Sequence, residues 1–176
     1  MLRHFTHLKL KGGWEMSNND AAYILGIDPG PESCGYAVVG KGGEYLRGGE
    51  ASLEYLTGVV FTSRCSVAIE TMAPRGQPTG HNIIDTAMVI GRLWQAAVDR
   101  GLDVYRVPRQ NYMQRICGTH KGGDAALRRA LKLRGAPDSM LRAGSNVRAA
   151  YAVALYVVDA ERLALRLKGT WPAAGR

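Results

Sequence analysis

The sequence predicts an α/β fold: a mixed five-stranded sheet, three antiparallel strands and then parallel ones, with helices on both faces. Three observations predict it. Residues 23–51 hold three short strand-like runs separated by Gly- and Pro-rich turns, the pattern of an antiparallel meander. Two further apolar runs, at 66–70 and 102–107, each follow a segment of helical character, the alternation that sets strands parallel. From residue 109 onward the chain reads as helices joined by Gly-containing loops.

Taken in order, Tyr23–Asp28 is an apolar run closing on a carboxylate, and Pro29, Gly30 and Pro31 turn the chain. Cys34–Val39 is a second strand, turned at Gly40, Gly42 and Gly43, and Glu44–Ala51 a third. Leu53–Arg64 is a helix with Ser52 as its N-cap. Ser66–Glu70 is a strand that again ends in a carboxylate, and the Pro- and Gly-rich loop 71–80 follows. His81–Arg100 is a helix on the spacing of Ile84, Met88, Leu93 or Trp94, and Val98, stopped by Gly101. Leu102–Val107 is a strand stopped by Pro108. Helices follow at about 109–117, 124–134 and 145–168.

With 176 residues and 19.1 kDa, the chain is expected to form one domain over 20–168, with a flexible tail at 1–19 and a short one at 169–176. It is too short for a two-lobed ATPase or a large barrel enzyme. It lacks an apolar run of membrane-spanning length and the apolar core of a secretory signal. Three scattered cysteines, Cys34, Cys65 and Cys117, form no Cys-x-x-Cys pair, so reduced thiols in a cytoplasmic, non-secreted protein are expected. The net charge of +8 suits a polyanionic partner. It is polarised: residues 1–99 carry 8 Lys and Arg against 10 Asp and Glu, residues 100–176 carry 15 against 5. The second half is therefore the expected polyanion contact, leaving the acids of the first half for another task.

Asp28 and Glu70 each end a short strand. On neighbouring strands they would stand side by side at one end of the sheet, a hard-oxygen pair suited to Mg²⁺ or Mn²⁺. Such ions can activate water for in-line attack on a phosphodiester.

These residues carry a resemblance. Gly26-Ile27-Asp28-Pro29-Gly30 with Gly35-Tyr36-Ala37-Val38-Val39 is similar to the opening of RuvC-like Holliday-junction resolvases, and Val67-Ala68-Ile69-Glu70 to their second catalytic strand. Gly91-Arg92-Leu93, Cys117-Gly118 and Asp124–Leu131 are similar to phage-borne members, and Ala149–Leu155 to the start of their final helix. The resemblance spans about residues 23–160. It implies a ribonuclease-H-like fold and a homodimer. It also implies two divalent ions per subunit, with no small-molecule cofactor, and paired symmetric nicks in a four-way DNA junction during recombination and repair. Asp28 and Glu70 fall on the family's first two metal-binding carboxylates. Two further metal-side residues usually sit three apart on the last helix, and here those positions are Asn146 and Ala149. Asn146 offers a neutral oxygen and Ala149 none. Asp124 is either a compensating acid or the N-cap of its helix. The alternatives to an active enzyme are a junction-binding module without chemistry and a resolvase inactivated by mutation.

On the DNA side, the family's basic residue five before the glycine matched by Gly118 is Met113 here, so Arg109 and Arg115 are the nearby substitutes, and Lys121 is a second basic contact. Arg75 lies in the loop after Glu70, and Arg148 opens the last helix beside Asn146. Met72 is either a core residue or an apolar wedge between bases. Arg128, Arg129, Lys132 and Arg134 form a further basic face, and the helix at 81–100 is the dimer candidate.

Overall fold

The computed structural model describes residues 23–72 and 80–168. Five strands, β1 (Tyr23–Asp28), β2 (Cys34–Gly40), β3 (Tyr45–Ala51), β4 (Ser66–Thr71) and β5 (Val104–Pro108), form one sheet in the order β3-β2-β1-β4-β5. β1, β2 and β3 are antiparallel neighbours, while β4 pairs parallel with β1 and β5 parallel with β4. The helices are α1 (Leu53–Thr62), α2 (His81–Asp99), α3 (Arg109–Cys117), α4 (Asp124–Leu133), α5 (Asp138–Arg142) and α6 (Ser145–Leu167).

The strands alternate between two cores, one on each face of the sheet. Leu25, Ile27, Val38, Val67 and Ile69 point to one face and pack against α1 and α2. Ile24, Ala37, Val39, Ala68 and Val107 point to the other and pack against α3, α4 and α6. A sheet covered on both sides accounts for strands that read as near-continuous apolar runs. The Ser52 hydroxyl caps α1 by accepting from the Tyr55 amide at 3.3 Å.

α6 carries the second core. Residues 147–155 are all buried, and the helix crosses β1 and β2 where they carry glycine. A Cβ on Gly26 would collide with the Ala150 carbonyl, and one on Gly35 with the Asn146 backbone. Glycine at these two positions lets helix backbone touch strand backbone.

Two expectations are corrected. The segment around 138–142 forms a short helix, α5, that the sequence pattern left in a loop. The buried face of α2 is Val89, Leu93, Ala96 and Ala97, whereas Ile84, Met88 and Val98 of the expected stripe are exposed. Apolar residues lie on both sides of α2, so periodicity alone chose the wrong phase.

Candidate active site

Successive side chains on a strand alternate between faces, and directly paired residues share one. Ile27 pairs with Ile69 across the parallel β1–β4 ladder, so the next residues, Asp28 and Glu70, are neighbours on the α6 face. Asp28 also pairs with Gly35, which pairs in turn with Glu50 on β3. The missing side chain at Gly35 leaves room for the first turn of α6, with Asn146 above it.

Asp28 and Glu70 come close enough to share a hydrogen bond. Burial, then the negative charge of Glu70 and that hydrogen bond, push the Asp28 carboxyl from its usual 3.8 up to about 8, and Glu50 adds to the pressure. Arg109 opposes it. A pair of carboxylates that resists double ionisation is a pair that favours a cation. Its hard oxygens, with the Asn146 amide oxygen from the first turn of α6 above β2, fit one divalent ion such as Mg²⁺. Among the described residues no three His, Cys, Asp or Glu side chains gather into a metal-binding group.

Arg109 is the first residue of α3, immediately after β5 ends at Pro108. Its Nη1 lies 3.5 Å from Glu70 Oε1 and donates to the Tyr112 hydroxyl at 2.7 Å. Tyr112 donates in turn to Glu70 Oε2 at 3.0 Å. Burial and the adjacent Glu70 charge hold the Tyr112 phenol well above its usual pKa, so it stays a donor. Tyr112 was not singled out from the sequence. The available signal was its spacing of three from Arg109, which puts both on one helix face.

The other expected residues separate into groups. Asp124 and Arg148 are corrected. Arg148 is buried, and its Nε and Nη2 donate to Asp124 Oδ1 and Oδ2 at 2.8 and 2.7 Å. Its Nη1 donates to the carbonyls of Leu141 and Ala143. Asp124 is thus the partner of a buried guanidinium rather than a third acid beside Asp28. Gly123, not Asp124, is the N-cap of α4. Arg148 faces inward because it must satisfy those carbonyls, so it is no phosphate contact. Met113 is fully buried, which removes it from any DNA surface. Met72 is exposed, so the core reading for it is corrected.

Lys121 is exposed in the α3–α4 loop, and its amide donates to the Thr119 hydroxyl. Arg115 is exposed on α3 at 3.8 Å from Asp159, which also binds Arg134 at 2.9 Å. Arg128, Arg129, Lys132 and Arg142 line an open cleft together with Asp124 and Asp138. Arg75 lies outside the described residues. Cys34, Cys65 and Cys117 are free thiols.

The chain superimposes on the solved structure of Thermus thermophilus RuvC with a TM-score of 0.59. Identity is 20%, and the match covers 84% of this chain and 97% of that one. The fold is that of RuvC. T. thermophilus RuvC in complex with a Holliday junction substrate matches with a TM-score of 0.58 and 22% identity, over 79% of this chain and 94% of that one. RuvC has a ribonuclease-H-like fold, and this chain shares that fold, with its mixed sheet and a long final helix laid across the central strands. No protein-family model matches the sequence, and no curated protein matches it.

Proposed function

We propose that the chain is a metal-dependent, structure-selective DNA endonuclease that resolves four-way junctions. One observation carries the reading: Asp28 and Glu70 stand together at the C-terminal ends of adjacent parallel strands, on the face crossed by α6, in a RuvC fold. Asp28, Glu70 and Asn146 would hold the ion. When bound, a divalent cation acidifies water and offsets the charge that grows on the phosphate. In the hydrolysis, water oxygen bonds to phosphorus as the bond to the 3′-oxygen breaks, giving a 5′-phosphate and a 3′-hydroxyl that takes up a proton. Arg109 lies close enough to meet a phosphate oxygen, and Tyr112 fixes the orientation of both Arg109 and Glu70.

The exposed lysines and arginines on α4, α5 and the α3–α4 loop give the junction arms a positive surface. Arg115 and Arg75 remain part of this proposed contact. A homodimer formed through α2 matches the two-fold symmetry of the junction. Ile84, Met88 and Gly91 recur at helical spacing on the exposed side of α2, and a side chain added at Gly91 would meet open space. The free thiols suit a reducing cytoplasm.

A labelled four-way junction incubated with the protein in Mg²⁺, Mn²⁺ or Ca²⁺ tests the reading, with binding and nicking scored separately. Paired nicks in Mg²⁺ that vanish in Asp28→Asn are expected. Linear duplex cut as readily as the junction would refute structure selectivity. A second reading, a junction-binding module without chemistry, is favoured by one observation: α6 offers Asn146 and Ala149 in place of acids. Tight binding without nicking in any metal, with nicking gained by Ala149→Asp, would establish it.

A further inference from the structure

We infer that each chain binds a single divalent ion and uses the Arg109 guanidinium as the second positive centre at the reacting phosphate. The inference rests on the nuclease reading above and names the cations of that same site.

The first argument is the order of side chains along the sheet rim. β2, β1, β4 and β5 lie side by side in that order. Asn146 sits over β2 at Gly35, Asp28 ends β1, Glu70 is near the end of β4, and Arg109 follows β5 directly. Read across the rim, the groups run amide, carboxylate, carboxylate, guanidinium. Metal donors therefore stop at Glu70, and on its far side stands a fixed cation.

The second argument is the number of donors. Two ions about 4 Å apart need carboxylates that bridge them and others that flank each one. Asp28 and Glu70 can serve one ion, whose remaining positions go to Asn146, water and the phosphate. The flanking acids for a second ion are missing. Ala149 has no donor atom, Asp124 is held by Arg148, and Glu50, though on the same face, stands two strands from Asp28 with its carboxylate against Gly144, so no third acid, His or Cys closes on the pair among the described residues.

The third argument is that Arg109 is held in place rather than free to drift. The buried Tyr112 hydroxyl accepts from Arg109 and donates to Glu70, which ties guanidinium and carboxylate into one unit. The guanidinium carbon lies 5.8 Å from the Tyr112 ring centroid, a further contact with the same side chain. The Arg109 side chain nevertheless keeps 39% of its surface open. A planar guanidinium so placed presents fixed donors to phosphate oxygens. It supplies positive charge with no coordination shell to fill.

Mn²⁺ alone, titrated into the full chain and counted by calorimetry and by the electron paramagnetic resonance of free Mn²⁺, provides the test. The wild type should bind one ion per chain, and Asp28→Asn should bind none. Arg109→Met removes a repelling charge a few ångströms from the site, so its Mn²⁺ affinity should rise about tenfold. Arg109→Lys keeps the charge and should stay within about threefold of the wild type. On a four-way junction at saturating Mn²⁺, Arg109→Met should cut at least a hundredfold more slowly, with partial rescue in Arg109→Lys. Two ions per wild-type chain would overturn the inference, as would an Arg109→Met protein of unchanged affinity and cutting rate. Wild type that binds one ion with the expected Arg109 response on Mn²⁺ affinity but leaves every junction intact would defeat the nuclease reading and the role of Arg109 at a reacting phosphate, leaving the single-ion site standing. Absence of Mn²⁺ binding would defeat both.

Discussion

Asp28 shows how one residue can oppose the stability of the fold that holds it. Its carboxyl titrates near 8 in the folded chain and near 3.8 when unfolded, because burial and Glu70 disfavour its charge. The sign follows from linkage. An acid whose folded pKa is raised contributes stability that is fully present below pH 4 and is lost as the pH climbs toward 8. Metal-free protein should therefore lose stability across that window. Asp28→Asn, which has no charge to bury, should lose less across it, and at pH 7 should be the more stable by on the order of 4 kcal/mol. Thermal unfolding of both proteins in chelator between pH 5 and 8 checks this, and parallel curves would show that the carboxyl is not strained. Tyr112→Phe belongs to the same scale. It keeps the ring and its packing but releases Glu70 Oε2 and Arg109, so cleavage should fall about tenfold while stability changes by about 1 kcal/mol. At this scale the two acids were legible because each ends an apolar run. Tyr112 was not, since a buried aromatic on a helix has the same pattern whether it only packs or also donates a hydrogen bond. Arg148 misled because a charged residue at a helix start is exposed unless carbonyls and an acid wait for it.

Among the elements, α6 decides whether the site exists. It reaches the acids only because Gly26 and Gly35 allow backbone contact, with the Ala154 Cβ also within 2.9 Å of a Cβ placed on Gly26. Gly26→Ala would force α6 off the sheet and should cost about 3 kcal/mol, read from denaturant unfolding. Arg148 is the second device. It joins α6 to the first residue of α4 and to carbonyls in and just after α5. Arg148→Met should cost about 3 kcal/mol. Asp124→Asn should cost less, since an amide can still accept from the guanidinium, and a double-mutant cycle should return strong coupling between the two positions. The strand boundaries were readable to within a residue or two because a Pro or Gly stands close to one end of most runs, as Pro29, Gly40, Gly43, Gly101 and Pro108 do. α5 was too short to show a period. The face of α2 was misread in part for a different reason: a helix that is apolar on two sides has two plausible phases, and the hidden one joins the expected Leu93 to Val89, Ala96 and Ala97, small residues that weigh little in a search for large apolar ones.

For the whole molecule, charge and symmetry make separate demands. Arg115 and Arg134 already face Asp159, and Arg148 is buried. In the proposed junction contact Arg115 is shared with Asp159, and among the described residues the main groups for phosphate are Arg109, Lys121, Arg128, Arg129, Lys132 and Arg142. About six contacts predict a slope near −5 for log affinity against log salt, measured on junction DNA in Ca²⁺. In the proposed homodimer the symmetry demand falls on α2. Ile84 and Met88 are 49% and 62% exposed and one helical turn apart, an exposed apolar pair on α2. A second copy of the same helix can cover it about a two-fold axis, since each stripe is then its own complement. Met88→Glu places a charge in that contact and should yield a monomer by analytical ultracentrifugation at micromolar concentration, with unfolding unchanged because Met88 touches little of its own chain. The consequence for catalysis separates this idea from simple loss of activity. The monomer retains Asp28, Glu70 and Arg109, so it should still nick. Its two cuts on a cruciform plasmid would no longer be coordinated, and nicked circles should accumulate where the wild type yields linear product. A Met88→Glu protein that remains dimeric, or that is monomeric and still linearises the plasmid in one binding event, would place the two-fold contact elsewhere or remove the need for it.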